Sequence, residues 1–331
     1  SLNDLSNEEL YALLQKLDYE ATLNIHPNNR KRVLRAINIA KIGLRMALGL
    51  VFIFSAITKL LSIDSLEIYI FSFKIFSLEV SFLLSRLLIA FEAILGIWLL
   101  SNINNRYSFW CSFATLACFT IFLLFLSLTG NQDNCNCFGE FIKMNPKESI
   151  VKNLIMILLL ISTYNTKSFK IKKLPLWGAL ISIAVTATVF IISPPDNWRY
   201  ESYQKHTEVN IEALEEAKAK NIIPAELFEG EKIVCLFSLK CNYCIKAAKK
   251  ISILRDRGEF SNGDIHIIFG GDEKDTREWF DNTKMQAKSF SFLPANDFLS
   301  ITYGSIPLIL HLKDGEIIEK YSFRDIRKSN D

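Results

Sequence analysis

The chain has 331 residues, of which 50% are hydrophobic and 22% charged, with 25 Phe and a formal net charge of +3. With a mean hydropathy of +0.20, this excludes a disordered, collagen-like or other low-complexity chain and argues against a wholly soluble one. A charge of +3 is too small to indicate a nucleic-acid partner, and seven cysteines are too few for a dense disulfide scaffold.

Residues 1–40 are polar and carry no apolar stretch followed by a small-residue cleavage site, so no signal peptide is expected there. Five apolar stretches then read as membrane spans: Met46–Ile63, Ser81–Leu100, Tyr107–Leu128, Ile150–Tyr164 and Leu174–Ser193. About 20 apolar residues cross a bilayer; the fourth stretch is short for this. Lys and Arg set the orientation. Arg30, Lys31, Arg32, Arg35, Lys41 and Arg45 precede the first span, Arg106 lies between the second and third, and Lys167, Lys170, Lys172 and Lys173 between the fourth and fifth. These loops are expected in the cytoplasm, which puts everything after Ser193 outside. Trp98, Trp110 and Trp177 fall at expected cytoplasmic span ends, and Trp198 just past the outer end of the fifth.

After Pro194–Pro195 the composition becomes that of a soluble α/β domain. Glu208–Lys220 reads as an amphipathic helix and Lys232–Ser238 as a strand. Cys241–Leu254 reads as a helix, with Ile245, Ala248, Ile251 and Leu254 at three- and four-residue spacing. Asp264–Phe269 is a second strand. Pro307–Leu312 and Glu316–Tyr321 flank Lys313-Asp314-Gly315, a hairpin signal.

Strand, Cys241-Asn242-Tyr243-Cys244, then helix is the order of a redox pair. Unpaired N–H groups at a helix start favour a thiolate, and Lys240, Lys246 and Lys249 add positive charge nearby. Cys241 is expected to attack and Cys244, one turn inside, to resolve the mixed disulfide. The alternative, a structural zinc pair, needs a second ligand pair; Cys235, His266 and His311 lack paired spacing. Cys235 and the four His residues read as structural.

With Gly304-Ser305-Ile306-Pro307 before the hairpin, residues 205–325 resemble the thioredoxin-like fold. The resemblance implies a cis Pro307 facing the CxxC and aligning an incoming disulfide. Lys240 stands where that family usually has Trp, a departure that bears on redox potential rather than on fold.

The loop between the third and fourth spans holds Cys135-Asn136-Cys137. A Cys-x-Cys disulfide closes a tight ring and is expected to exchange readily; metal binding by the two thiolates is the alternative. Lys59, Arg86 and Glu92 lie in or near spans, where ionisable groups by default indicate function, although Lys59 and Arg86 could instead snorkel to the outer interface. Arg86 and Glu92 are six residues apart and need not pair. Cys111 and Cys118 share a helix face about 10 Å apart, too far for a bond, and read as packing residues.

Three segments carry a second resemblance: Gly49-Leu50-Val51-Phe52-Ile53-Phe54-Ser55-Ala56-Ile57-Thr58-Lys59, Arg86 with Phe91-Glu92-Ala93-Ile94-Leu95-Gly96, and Cys135-Asn136-Cys137-Phe138-Gly139. Over residues 42–164 they resemble the MauE/DoxX-like family, which implies a four-helix membrane bundle associated with periplasmic thioredoxin-like partners and with disulfide formation in methylamine dehydrogenase maturation. Ala56 replaces the family's usual Gly. Within 8–39, Leu10–Asp18 and Ile25–Ala36 resemble an internal piece of tRNA dimethylallyltransferase, but the phosphate-binding loop that enzyme requires is absent here. The start at Ser1 fits a truncated or fused product, and no prenylation of tRNA is expected.

The expected organisation is a fragment over 1–40, a MauE/DoxX-like four-helix membrane domain over 41–165, a fifth, tethering helix over 174–193 and a thioredoxin-like domain over 200–331. The expected function is thiol–disulfide oxidoreduction in a bacterial inner membrane, with Cys241 and Cys244 exchanging disulfides with Cys135 and Cys137. Lys59, Arg86 and Glu92 are the expected site for a quinone or a proton relay. Expected partners are membrane lipid, cysteine-bearing periplasmic clients and a quinone or other redox partner, with no nucleic acid. A non-catalytic membrane assembly factor is the alternative, and a tRNA-modifying fragment a remote one.

Overall fold

The computed structural model describes residues 27–101, 105–129, 135–142, 144–164, 166, 174–220, 222–260, 263–271 and 275–327. Most of the N-terminal fragment and the lysines of the expected loop at 167–173 lie outside them.

The first half is helical: α1 (Pro27–Leu61), α2 (Ile63–Ser72), α3 (Leu78–Leu100), α4 (Asn105–Leu128), α5 (Pro146–Ser162) and α6 (Leu174–Ile192), with a short strand β1 (Cys137–Glu140) before α5. Among the described residues, three helices are long and apolar enough to cross a membrane: Arg32–Leu61, Leu78–Leu100 and Arg106–Leu128. The expectation was five. The fourth candidate, α5, has 17 residues and carries Lys147, Glu148 and Lys152 near its start. The fifth is apolar over the 17 residues Leu176–Ile192, which is short of a full span.

The second half is α/β. It contains α7 (Tyr200–His206), α8 (Ile211–Ala219), β2 (Glu231–Phe237), α9 (Asn242–Asp256), β3 (Asp264–Gly270), α10 (Arg277–Thr283), β4 (Ser289–Leu293), α11 (Ala295–Thr302), β5 (Leu308–Lys313) and β6 (Glu316–Tyr321). The strands form a five-stranded sheet in the order β4-β3-β2-β5-β6. β2 pairs parallel with β3 and antiparallel with β5. As the central strand it is buried on both faces, which explains its unbroken apolar run Ile233-Val234-Cys235-Leu236-Phe237. Alternate residues serve two cores. Ile233, Cys235 and Phe237 pack towards α9, and Val234 and Leu236 towards α8 and α11. The strands and hairpin of the sequence reading are all present, with ends shifted by a residue or two. α2, β1, α7, α10, β4 and α11 are additions to it.

The chain divides into two compact units. The first takes the described residues of Ser1–Ile53, Ile94–Gln132 and Pro146–Ala179, with a core of Leu48, Phe52, Leu95, Leu99, Phe109, Leu116, Met156 and Leu160. Here α1 and α3 meet backbone to backbone. A Cβ on Gly49 would lie 2.8 Å from the Gly96 carbonyl oxygen, and one on Gly96 equally close to the Gly49 oxygen. The second unit takes Phe54–Ala93, Asp133–Asn145 and Leu180–Asp331. It therefore contains the CxC, α2 and the whole sheet domain, and its largest core joins Ile68 and Phe71 of α2 and Phe82 of α3 to α9.

Candidate redox site

Cys241 is the N-cap of α9, and its sulfur accepts the backbone N–H of Cys244 at 3.1 Å. The hydrogen bond from the Cys244 thiol, then the backbone N–H groups of Cys244 and Tyr243, pull the Cys241 thiol down to about 6, against the effect of burial. Burial pushes the Cys244 and Cys235 thiols up. One exposed-side thiolate and one buried thiol is the division of labour an exchanging pair requires. Hydrogen bonds at the helix start depress Cys241, and Lys246 is directed to carboxylates. Iodoacetamide labelling of Cys241 should therefore rise with pH through a midpoint near 6 and level off by about 8. By linkage, a lowered thiol stabilises the reduced fold above its own pKa, increasingly towards the unfolded value. A midpoint near 9 would contradict this.

The Ile306–Pro307 bond is cis, as the resemblance implied. The antiparallel register Leu236↔Leu308 brings Pro307 to the end of the sheet from which the Cys241 loop departs. His266 sits between Ser289 Oγ at 2.6 Å and Ser291 Oγ at 2.9 Å, and His311 Nε2 lies 2.9 Å from Glu231. Both are satisfied structural residues.

Cys135 and Cys137 face each other with their sulfurs 2.7 Å apart, and Asn136 between them is in the left-handed region at φ 52°. One polar face of α1, at helical spacing, and Ser62 just past its end hold this turn. Ser55 Oγ donates to the Cys137 carbonyl at 2.9 Å, Ser62 Oγ accepts from Glu140 N at 3.2 Å, and Gly139 (φ 58°) lies against Thr58 and Ser62. Beneath it, Lys59 Nζ donates to both carboxylate oxygens of Glu92 at 2.7 Å and to Ser55 Oγ at 2.7 Å. Lys59 and Glu92 are 4% and 5% exposed, so Lys59 does not snorkel.

Arg86 is equally buried but belongs to a different cluster. It pairs with Glu67 of α2, and donates to the Phe82, Ser193 and Pro194 carbonyls at 2.8, 2.9 and 3.1 Å. Glu67 shares a group of buried carboxylates with Asp64 and Asp196, their oxygens within 4.8 Å of one another. Arg324 answers this cluster, 3.0 Å from Asp196 and 3.7 Å from Asp64. Burial raises Asp64, and raises Glu67 to about 7, opposed by Arg86. The sequence reading missed Ser55, Glu67, Asp64 and Asp196; a polar residue every three or four positions along an otherwise apolar α1 was the available signal for Ser55.

A side chain of the CxxC helix reaches the CxC turn. Lys246, two residues past Cys244, lies 3.3 Å from Glu140 of β1 and 4.0 Å from Asp64 of α2. One turn on, the Lys250 ammonium packs 5.4 Å over the Phe82 ring and 5.5 Å over the Phe323 ring.

These features define a membrane protein with apolar spanning helices and a C-terminal α/β domain bearing a thiol pair at a helix start. The family model described as "Methylamine utilisation protein MauE" matches residues 36–164. "Protein TlpB" of Flavobacterium psychrophilum is 28% identical over 282 residues, covering 70% of this chain and 77% of that protein. A "tRNA dimethylallyltransferase" of Malacoplasma penetrans (strain HF-2) is 54% identical over 37 residues, 11% of this chain and 12% of that enzyme. No solved structure matches. Residues 36–164 are thus MauE-like, in a chain whose apolar helices make it a membrane protein and whose C-terminal part is thioredoxin-like.

Proposed function

We propose that this protein is a membrane-anchored thiol–disulfide oxidoreductase in which Cys241 and Cys244 exchange a disulfide with Cys135 and Cys137. At the level of the family, the MauE-like region and the TlpB similarity support a membrane-associated redox or maturation role. The observation that carries the finer reading is the Lys246–Glu140 ion pair, which ties the CxxC helix to the CxC turn.

In the exchange, the Cys241 thiolate attacks one sulfur of a Cys135–Cys137 disulfide. That S–S bond breaks, and the released thiolate takes up a proton. Cys244 then loses its proton and attacks Cys241 in the mixed disulfide. The second CxC thiolate leaves and is protonated in turn. Two electrons have passed from the CxxC to the CxC, which has also taken up two protons, one matching that lost by Cys244 and one from water; the reverse sequence runs through the same bonds. Pro307, at the same sheet end, shapes the groove for cysteine-bearing clients. The sheet domain acts in the periplasm, carried by a bundle of four helices with α6 as tether. A quinone is the electron partner we assign to the membrane side. We place it beside the buried Lys59–Glu92 pair, whose ammonium and carboxylate hold each other, while Arg86 is engaged with Glu67 and the chain after α6.

Cys244→Ser tests this in native membranes by acid quench, thiol alkylation and non-reducing mass analysis. The expected result is an accumulated Cys241 disulfide with Cys137 or Cys135, absent when Cys241 is also replaced. If Cys241 in that variant links to neither cysteine, and the redox state of the CxC matches wild type, the exchange does not occur. The assembly-factor reading would then take its place, with client binding retained after both CxxC cysteines are changed to serine.

A further inference from the structure

We infer that Ser55, held in place by the buried Lys59–Glu92 pair, is a positioning residue that sets the reduction potential of the CxC. This rests on the reading of Cys135 and Cys137 as a redox pair.

A serine hydroxyl has one proton to give and two lone pairs to receive with. Lys59 donates to Ser55 Oγ at 2.7 Å and also to both oxygens of Glu92. Glu92 Oε2 and the Cys137 carbonyl oxygen both lie within reach of the Ser55 proton, at 3.0 and 2.9 Å. Because Lys59 already supplies both oxygens of the carboxylate, the Ser55 proton is available for Cys137. The ammonium fills one lone pair and orients the hydroxyl. The order of dependence is thus Glu92, Lys59, Ser55, Cys137 carbonyl. A charged pair buried to this degree is strongly destabilising when broken singly, so it is a rigid base for the bond above it.

That bond acts on the residue that closes the CxC ring. Asn136 is left-handed, Gly139 N donates to the Asn136 carbonyl at 3.2 Å, and Cys135 N donates to the Met144 carbonyl at 3.1 Å. Ser55 holds Cys137 from the opposite side of the turn. A turn held from both ends keeps the two cysteines organised for ring closure, and this favours the disulfide over a freely moving dithiol. Releasing Cys137 moves the balance to the dithiol.

The test is a glutathione titration of the full-length chain in native membranes, with Cys241 and Cys244 replaced by serine so that the CxC alone is read by alkylation mass shift. The reaction is balanced as CxC disulfide plus two glutathione thiols giving CxC dithiol plus oxidised glutathione. Ser55→Ala is expected to move this equilibrium about tenfold towards the dithiol, a potential about 30 mV less negative for a two-electron couple. Ser55→Thr, which keeps the hydroxyl, should stay at the wild-type value. K59M/E92L leaves no unpaired buried charge and should shift it in the same direction as Ser55→Ala; it carries the test if Ser55→Ala fails to fold. A Ser55→Ala potential within twofold of wild type, or a Ser55→Thr shift as large as that of Ser55→Ala, overturns the assignment. The titration does not use the CxxC, so a shift seen without any Cys241 link would keep the positioning role and discard the exchange.

Discussion

Gly139→Ala is expected to free the CxC turn and to raise alkylation of Cys135 and Cys137 in native membranes by more than tenfold. Two independent effects converge on this position. At φ 58° a residue with a Cβ is strained by about 1–2 kcal/mol. The Cβ would also lie 2.7 Å from the Thr58 carbonyl oxygen. That oxygen is helix backbone that also accepts the Ser62 hydroxyl at 2.9 Å and the Ser62 N–H at 3.2 Å, so it cannot move aside. Overpacking of this kind adds about 1–3 kcal/mol. The Ser55 and Ser62 bonds tie the turn to this side of the helix, so a turn pushed off the Thr58 carbonyl loses them. Wild-type labelling rates in Gly139→Ala would show that the turn is held by something else.

Arg86→Met is expected to destabilise the protein by about 3–5 kcal/mol, the usual penalty for leaving one member of a buried ion pair behind. Glu67, 3% exposed, would lose its guanidinium partner, and the carbonyls of Phe82, Ser193 and Pro194 would lose their donor. The double change Arg86→Met with Glu67→Leu should recover part of the loss, because no charge is then stranded. Thermal unfolding in a fixed detergent, read for the wild type and both variants, checks this. At about 2–4 °C per kcal/mol for domains of 150–250 residues, a midpoint unchanged for Arg86→Met would sink the argument.

The sequence made the thiol chemistry legible but not its surroundings. Local signals carried the first part: Cys241-x-x-Cys244 after an apolar strand and before a helical period, Pro307 before a strand, and a Lys-Asp-Gly turn. Each is written within a few residues. The grouping of the buried charges is not local. Lys59, Arg86 and Glu92 looked like one set because they share a stretch of apolar chain. Their partners decide otherwise: Glu92 reaches 33 residues back to Lys59, whereas Arg86 turns to Glu67 and to carbonyls 107 and 108 residues away. α2 was hidden because its ten residues lie between two longer apolar stretches, with Asp64 and Glu67 reading as loop charges rather than as buried ones. Lys250 follows Lys249 on a helix with several lysines, and nothing in its spacing sets it apart. Its burial follows from packing by Phe82 of α3 and Phe323, which no spacing rule connects to it.

The setting of Lys250 bears on the choice of reagent for biochemistry. A water-soluble fragment cut at Tyr200 would leave Phe82, Phe71 and Ile68 behind and turn a sealed lysine into a hydrated one. The same cut would bare the apolar side of the helix that begins at the thiol pair, inviting self-association. Lys246 would lose both of its carboxylates. Thiol constants measured on such a truncation would describe a helix in foreign surroundings, so the intact chain in lipid is the preparation on which this pair should be characterised.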